Sequence, residues 1–138
     1  MSIKVISEDD KKLVKVALER LDNSFDEPLQ SVACAARTKN GDIITAMNFK
    51  HYAFVTCAEM AALAIVQNEY DSPIELITSV RYIHGVPEVI NACGRCRQVL
   101  IDHWPDVNFV LKTDDGLRKA GAQEVLPYTY IHYPGGKK

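Results

Sequence analysis

The sequence predicts an α/β fold in which a mixed β-sheet lies between helices. Three observations support this prediction. A pattern typical of an amphipathic helix opens the chain, an Asn40-Gly41 turn separates two strand-like runs, and apolar strands alternate with compact helices further on. The order of helix, hairpin and then alternating strands and helices is typical of a sheet with helices on its faces.

The first half of the chain predicts one helix and one hairpin. Ser7 is a helix N-cap residue, and three acidic residues follow it where the helix dipole favours negative charge. Apolar residues at helical spacing continue to about residue 22. Strands are predicted over 31–38 and 43–48, because Asn-Gly between two such runs is a strong hairpin signal.

The second half of the chain predicts two compact helices and three strands. An Asp115-Gly116 turn indicates that the last strand is antiparallel to the one before it. In chain order the elements are a helix over 57–68, a strand over 74–80, a helix over 93–103, strands over 107–111 and 117–120, and a helical turn over 123–126.

Length, composition and charge narrow the class of protein. A chain of 138 residues with 47% apolar and 25% charged residues is typical of one soluble globular domain, here residues 1–138. The net charge is -2 and no long basic run precedes Lys137-Lys138, so a nucleic-acid partner is disfavoured.

Hydropathy and cysteine content indicate the compartment. No apolar run approaches the roughly 20 residues that cross a bilayer, and the polar N-terminus lacks the apolar stretch of a signal peptide. We therefore expect a cytoplasmic protein without a membrane partner. In that compartment the four cysteines are expected to be metal ligands or buried residues rather than disulfides.

Two short clusters contain the candidate catalytic residues. Cys93 and Cys96 stand three residues apart at the start of a predicted helix, so both thiols lie on one face of it. Cys57 opens a different helix, and Glu59 follows two residues later. Three protein ligands with a fourth position open are typical of a catalytic zinc site. The sequence therefore predicts a Zn²⁺ centre held by Cys57, Cys93 and Cys96.

Position in the sequence predicts a role for Glu59, and charge balance predicts one for Arg95. Glu59 is poorly placed to bind the same metal as Cys57 and well placed to shuttle protons beside it. Three thiolates around one Zn²⁺ leave a net charge of -1, which opposes ionisation of a coordinated water. Arg95, between Cys93 and Cys96, is the predicted compensating cation, and a solvated side chain is the alternative.

The two clusters, read together, resemble the cytidine deaminase family. The run Cys93-Gly-Arg-Cys-Arg-Gln-Val-Leu100 is most similar to blasticidin-S deaminases, and the likeness also covers about 31–59, 93–111 and 124–127. The resemblance implies a three-layer fold with a five-stranded mixed sheet between helices. It also implies zinc-dependent hydrolytic deamination of cytidine, deoxycytidine or blasticidin S to the uracil form, with ammonia released. The family often forms a homotetramer whose active sites borrow residues from neighbouring subunits.

The resemblance also implies roles for individual residues. Glu59 would move protons between the attacking water, ring N3 and the leaving amine. The remaining implied contacts are with substrate: the Ala58 N–H with the pyrimidine carbonyl, Asn48 with the sugar, Ser31 near the substrate, and Tyr130 closing over it.

This sequence departs from the family pattern at the sugar contact, before Cys93, and at Tyr130-Ile131-His132, where blasticidin-S deaminases tend to carry Tyr-x-Trp. Cytidine deaminases carry Asn-x-Glu at the sugar contact, whereas this chain has Asn48-Phe49-Lys50, and a lysine cannot accept a hydroxyl hydrogen bond. Lys50 is suited to pair with the carboxylate of blasticidin S, with a solvated charge as the alternative. Ala92 replaces the usual proline before Cys93, which predicts a differently shaped loop.

Three other functions stay open at this stage. The first is deamination of another aminated heterocycle, such as a purine or a pterin. The second is a non-catalytic zinc-binding domain, against which Glu59 argues, since a structural site needs no acid beside its metal. The third is nucleic-acid editing, which the acidic balance disfavours.

Overall fold

The computed structural model describes residues 3–135. The helices are α1 (Glu8–Ser24), α2 (Ala58–Glu69), α3 (Gly94–His103) and α4 (Ala122–Val125). The strands are β1 (Lys4–Val5), β2 (Val32–Thr38), β3 (Ile43–Met47), β4 (Phe49–His51), β5 (Phe54–Thr56), β6 (Ile74–Ile83), β7 (Val86–Ile90), β8 (Asn108–Thr113) and β9 (Gly116–Ala120). Within this described range, no helix combines the length and apolarity that crossing a bilayer requires.

The central sheet is mixed, as the sequence predicts. Its strand order is β1-β9-β8-β6-β2-β3, and β7 also pairs with β6. Strands β6 and β8 run parallel, whereas β2 pairs antiparallel with both β3 and β6. Strands β4 and β5 form a separate two-stranded hairpin.

The sheet contains seven strands, so the expected count of five was wrong. One extra strand, β1, adds only two residues along the edge strand β9. The other, β7, forms because β6 continues to Ile83 and turns back at His84-Gly85. Both turn residues have positive φ, 51° and 80°, which matches the twist of a two-residue hairpin turn.

Small residues in β2 place helices on both faces of the sheet. Ala33 and Ala35 face α1, where they pack with its buried residues Leu13, Ala17 and Leu21. Cys34 and Ala36 face the opposite side and pack in one cluster with residues of α2 and α3. This alternation follows from the two-residue period of a strand. It confirms the helix–sheet–helix layering and puts α2 and α3 on the same face.

A buried carboxylate ties the start of α1 to the sheet. Asp10 is 1% exposed and accepts hydrogen bonds from the Arg37 guanidinium at 3.1 Å and the Lys119 ammonium at 2.7 Å. It also accepts one from the Ser7 N–H, completing the capping box of α1. Burial opposes ionisation of Asp10, but these partners outweigh it and lower its pKa from 3.8 to about 2.

Replacing Asp10 with asparagine is expected to reduce the free energy of unfolding at pH 7 by about 2 kcal/mol. Because the pKa of Asp10 is lower in the folded state, its contribution is present above about pH 5 and is lost as the pH falls towards 2. The difference between the wild type and Asp10→Asn should therefore shrink at pH 3. Urea unfolding at both pH values measures it. Glu8→Gln, at a highly exposed ion pair, is the control and should change stability by less than about 0.5 kcal/mol. An equally large difference in the free energy of unfolding at pH 3 would show that the charge of Asp10 does not stabilise the fold.

Candidate active site

The first turns of two neighbouring helices bring three thiols together. Cys57 is the N-cap of α2, Cys93 is the N-cap of α3, and Cys96 lies in the first turn of α3. Their Sγ atoms all lie within 4.8 Å of one another. Sulfurs bound at about 2.3 Å to one tetrahedral zinc would stand about 3.8 Å apart, so this spacing fits the metal.

The pKa values of two of these thiols shift in opposite directions. Burial would raise the pKa of Cys93, but the Cys96 N–H, 3.5 Å from its sulfur, lowers it overall. Burial and the nearby Glu59 raise the pKa of Cys96 instead. A divalent cation binds thiolates and relieves the repulsion between them. The cluster of Cys57, Cys93 and Cys96 therefore fits Zn²⁺, as the sequence predicts.

Arg95 reaches from the α3 turn to the N-cap of α2. Its Nη2 atom donates to the Sγ atom of Cys57 at 3.4 Å, and this hydrogen bond raises the pKa of the guanidinium. This contact places a fixed positive charge beside the sulfur cluster. Its role as the compensating cation stays a prediction.

Glu59 lies in the first turn of α2 and is only 4% exposed. Burial raises its pKa, while its own backbone N–H and the Ser79 hydroxyl act in the opposite direction. Glu59 lines a cavity of about 170 Å³ that Cys57 and Cys93 also line. A buried carboxyl group and the thiol cluster therefore share one cavity.

The cavity has apolar walls and a few polar groups. The wall residues other than Glu59 and the two cysteines are Val32, Asn48, Val55, Thr56, Ala58, Ile90 and Asn91. A pocket for a drug-sized ligand typically measures about 300–1,000 Å³. This cavity therefore fits a single heterocyclic ring, and the rest of a nucleoside would extend out of it.

The side-chain oxygen of Asn48 already accepts two backbone hydrogen bonds. Its Oδ1 atom accepts from the Ser31 N–H at 2.7 Å and the Val32 N–H at 2.9 Å. The amide nitrogen lies 3.5 Å from the Ser31 hydroxyl. One amide N–H of Asn48 thus donates to Ser31, which is 3% exposed, and the other N–H is available to a ligand in the cavity.

Two other predicted substrate contacts do not line this cavity. Lys50 is exposed on β4, where its backbone N–H donates to the Leu29 carbonyl. Tyr130 is 70% exposed, and its carbonyl accepts from the Gln98 amide at 3.4 Å. The structure therefore brings together the predicted zinc ligands, Glu59, Asn48 and Ala58, and leaves Ser31, Lys50 and Tyr130 outside the cavity wall.

Cys34 is a buried residue beneath the site, as the sequence predicts. It is 0% exposed, and its thiol donates to the Ala58 carbonyl at 3.2 Å. Burial raises its pKa well above the ordinary value, so it stays a neutral thiol.

Sequence reasoning missed Asn91 and two of the apolar wall residues, Val55 and Ile90. They belong to, or follow, the unpredicted strands β5 and β7. Residues 86–90 do not alternate between apolar and polar, and Pro87 interrupts the run, so the sequence carries little signal for β7.

Known proteins match most of this chain. A family model described as the cytidine and deoxycytidylate deaminase zinc-binding region matches residues 7–110. Blasticidin-S deaminase of Bacillus cereus is 29% identical over 132 residues, which cover 91% of this chain and 94% of that protein. Cytidine deaminase of Mycobacterium tuberculosis (strain H37Rv) is 31% identical over 75 residues, covering 53% of this chain and 54% of that protein.

The fold has a counterpart among solved structures. The crystal structure of the cytidine deaminase from Bacillus anthracis aligns with a TM-score of 0.76 at 17% sequence identity, covering 89% of this chain and 90% of that chain. This likeness confirms the α/β fold with a mixed sheet flanked by helices. The family model spans more than half of the chain and includes Cys57, Glu59, Cys93 and Cys96. The chain therefore belongs to the cytidine and deoxycytidylate deaminase family.

Proposed function

We propose that residues 1–138 form one catalytic domain that hydrolytically deaminates an aminated pyrimidine nucleoside or a nucleoside analogue in a zinc-dependent reaction. One observation carries the proposal: the Glu59 carboxyl group is buried in the same cavity as Cys57 and Cys93. A structural zinc site needs no acid there, whereas hydrolysis needs a group that moves protons.

The reaction replaces an exocyclic amine with a carbonyl. The oxygen of water bonds to the ring carbon, the C–N bond breaks, and ammonia leaves. A bound Zn²⁺ would lower the pKa of the attacking water, which ordinarily is 15.7, towards about 7 in favourable sites. Glu59 takes the proton of that water, and delivers protons to ring N3 and to the departing amine.

Polar groups beside Glu59 orient the substrate. The Ala58 N–H lies in the first turn of α2, where backbone N–H groups have no intrahelical acceptor, so it is available to the pyrimidine carbonyl. Asn48 offers one amide N–H, because its oxygen accepts from the backbone of Ser31 and Val32 and its other N–H donates to the Ser31 hydroxyl. The ligand atom that meets Asn48 must therefore be a hydrogen-bond acceptor, as a sugar oxygen is.

A deamination screen tests the proposed function. The purified protein is incubated with cytidine, deoxycytidine, blasticidin S, free cytosine and guanine, and ammonia release is measured. We expect release from at least one of the first three compounds. Release from guanine alone would assign another heterocycle, and release from none of a wide panel by zinc-loaded protein would favour a binding domain.

Lys50 is proposed to favour a substrate with a carboxylate on its sugar. It stands two residues after Asn48 and is exposed, so its ammonium can meet a ligand that extends out of the cavity. The likeness to blasticidin-S deaminase along 91% of the chain supports this substrate.

Replacing Lys50 with glutamate is expected to lower the ratio of kcat/KM for blasticidin S to that for cytidine by about tenfold, which corresponds to about 1.4 kcal/mol. The reversed charge repels the carboxylate and supplies an acceptor for a ribose hydroxyl. Lys15→Glu makes the same charge change on α1, across the sheet, and should leave the ratio unchanged. A constant ratio in Lys50→Glu would show that Lys50 is only a solvated charge.

We also propose that the chain assembles as a homo-oligomer, with a tetramer as the expected size. Phe49, Phe54 and Val55 on the β4–β5 hairpin are 41%, 57% and 58% exposed beside the cavity, which supports a covered surface there. Light scattering measures the mass, and a monomer would contradict this proposal. The cytoplasmic location stays a prediction from composition.

A further inference from the structure

Cys93 depends on the loop before it more than the other ligands do. Cys96 is buried within α3, whereas Cys93 is exposed and is the N-cap, where the chain enters the helix. Its sulfur position is therefore set by residues 91–92, which connect β7 to α3. Sub-ångström errors in a ligand position matter, because metal–ligand distances tolerate only about ±0.2 Å.

The Asn91 side chain fastens this loop to β8. Its Oδ1 atom accepts from the Lys112 N–H at 2.8 Å, and its Nδ2 atom donates to the Lys112 carbonyl at 3.3 Å. Strands β6 and β8 pair only as far as Ile77 and Phe109, so Lys112 lies beyond that pairing. One amide thus makes the two bonds to Lys112 that a neighbouring strand would make.

A second contact holds the other end of the same loop. The Arg97 Nε atom donates to the Ala92 carbonyl at 2.7 Å, and its Nη1 atom donates to the Val125 carbonyl at 3.2 Å. Arg97 thereby fixes the carbonyl of Ala92 but leaves the φ angle of that residue free. A proline ring at position 92 would fix that angle, and alanine does not.

We propose that Asn91 is a positioning residue for the zinc ligand Cys93 and replaces the rigidity that a proline at position 92 would give. It acts through the loop and does not touch the metal. Removing both bonds lets the 91–92 segment sample other conformations, so the Cys93 sulfur spends less time at binding distance. This inference rests on the metal centre of the proposed function and is independent of the substrate.

The test measures how tightly zinc is held against a chelator. Outer contacts that orient metal ligands typically contribute 10- to 100-fold to affinity, so Asn91→Ala should weaken zinc retention by about tenfold or more. The Asn91→Ala/Ala92→Pro double variant should recover retention to within about threefold of the wild type, because the ring restores the fixed φ angle. Ala92→Pro alone and the double variant should retain zinc equally, since Asn91 is dispensable once proline fixes the loop.

Thr113→Val is the matched control. Thr113 is the next residue of β8, and its hydroxyl also makes two hydrogen bonds with backbone, to Gly116 and Asp115, at the turn into β9. This variant should lose similar stability and keep its zinc affinity. Thermal unfolding of each metal-free variant separates a loss of stability from a loss of zinc binding.

The outcomes distinguish the two proposals. A wild type that holds no zinc would overturn the metal centre itself. A wild type and Asn91→Ala with equal zinc retention would overturn only the role of Asn91. A double variant as weak as Asn91→Ala would also overturn that role, because proline would then fail to replace the amide. If Asn91→Ala does not fold, the comparison of Ala92→Pro with the double variant decides the question alone.

Discussion

Replacing Glu59 with glutamine is expected to reduce kcat by at least about 10²- to 10⁴-fold, while about one zinc per chain is retained. Glutamine has nearly the same shape as glutamate but cannot accept and return a proton. The buried Glu59 lies beside the thiol cluster and is not one of its three sulfurs. The change should therefore remove the proton transfer and leave the metal ligands in place.

The measurement for Glu59→Gln has two parts, turnover by ammonia release and zinc content by elemental analysis. Glu69→Gln makes the same change at the exposed end of α2 and should leave both quantities unchanged. Substantial residual turnover in Glu59→Gln would remove Glu59 from the mechanism. Loss of zinc would show instead that residue 59 helps to hold the metal.

The parts of the fold predicted from sequence are those with local chemical signals. Asn40-Gly41 between two apolar runs fixes the β2–β3 hairpin, and the Ser7 cap with its acidic first turn marks the start of α1. The His84-Gly85 turn lacks such a signal, because a histidine only occasionally adopts positive φ. Strand β7 was missed for that reason, and Asn91 after it was missed as a consequence.

The candidate site also contains features that follow from the sequence and features that do not. Cysteine spacing predicts the metal ligands, since residues three apart at a helix start share one face. The contact of Arg95 with the sulfur of Cys57 also follows from its place within that turn. The cavity walls do not follow, because Ile90 and Val55 reach the site through hairpins whose pairing depends on tertiary structure. Lys50 and Tyr130 were predicted as substrate contacts from the resemblance to related sequences, and neither lines the cavity.

Replacing Cys96 with serine is expected to weaken zinc binding at least about 1,000-fold and to reduce turnover to background. Zinc in protein sites is held by about 10–16 kcal/mol in total, so the loss of one of three thiolates costs roughly 4 kcal/mol. A serine hydroxyl keeps the size of the side chain but stays neutral and binds Zn²⁺ poorly. Zinc per chain after dialysis against a chelator measures the effect.

The matched control for Cys96→Ser is Cys34→Ala. Both cysteines are 0% exposed in the same core cluster, but Cys34 bonds to the Ala58 carbonyl and lies outside the group of three sulfurs. Cys34→Ala loses one weak hydrogen bond and should keep about one zinc per chain. If both variants lost zinc equally, the loss would reflect a damaged core. If only Cys96→Ser loses it, the loss belongs to the ligand, because burial and packing are shared by the two positions and coordination is not.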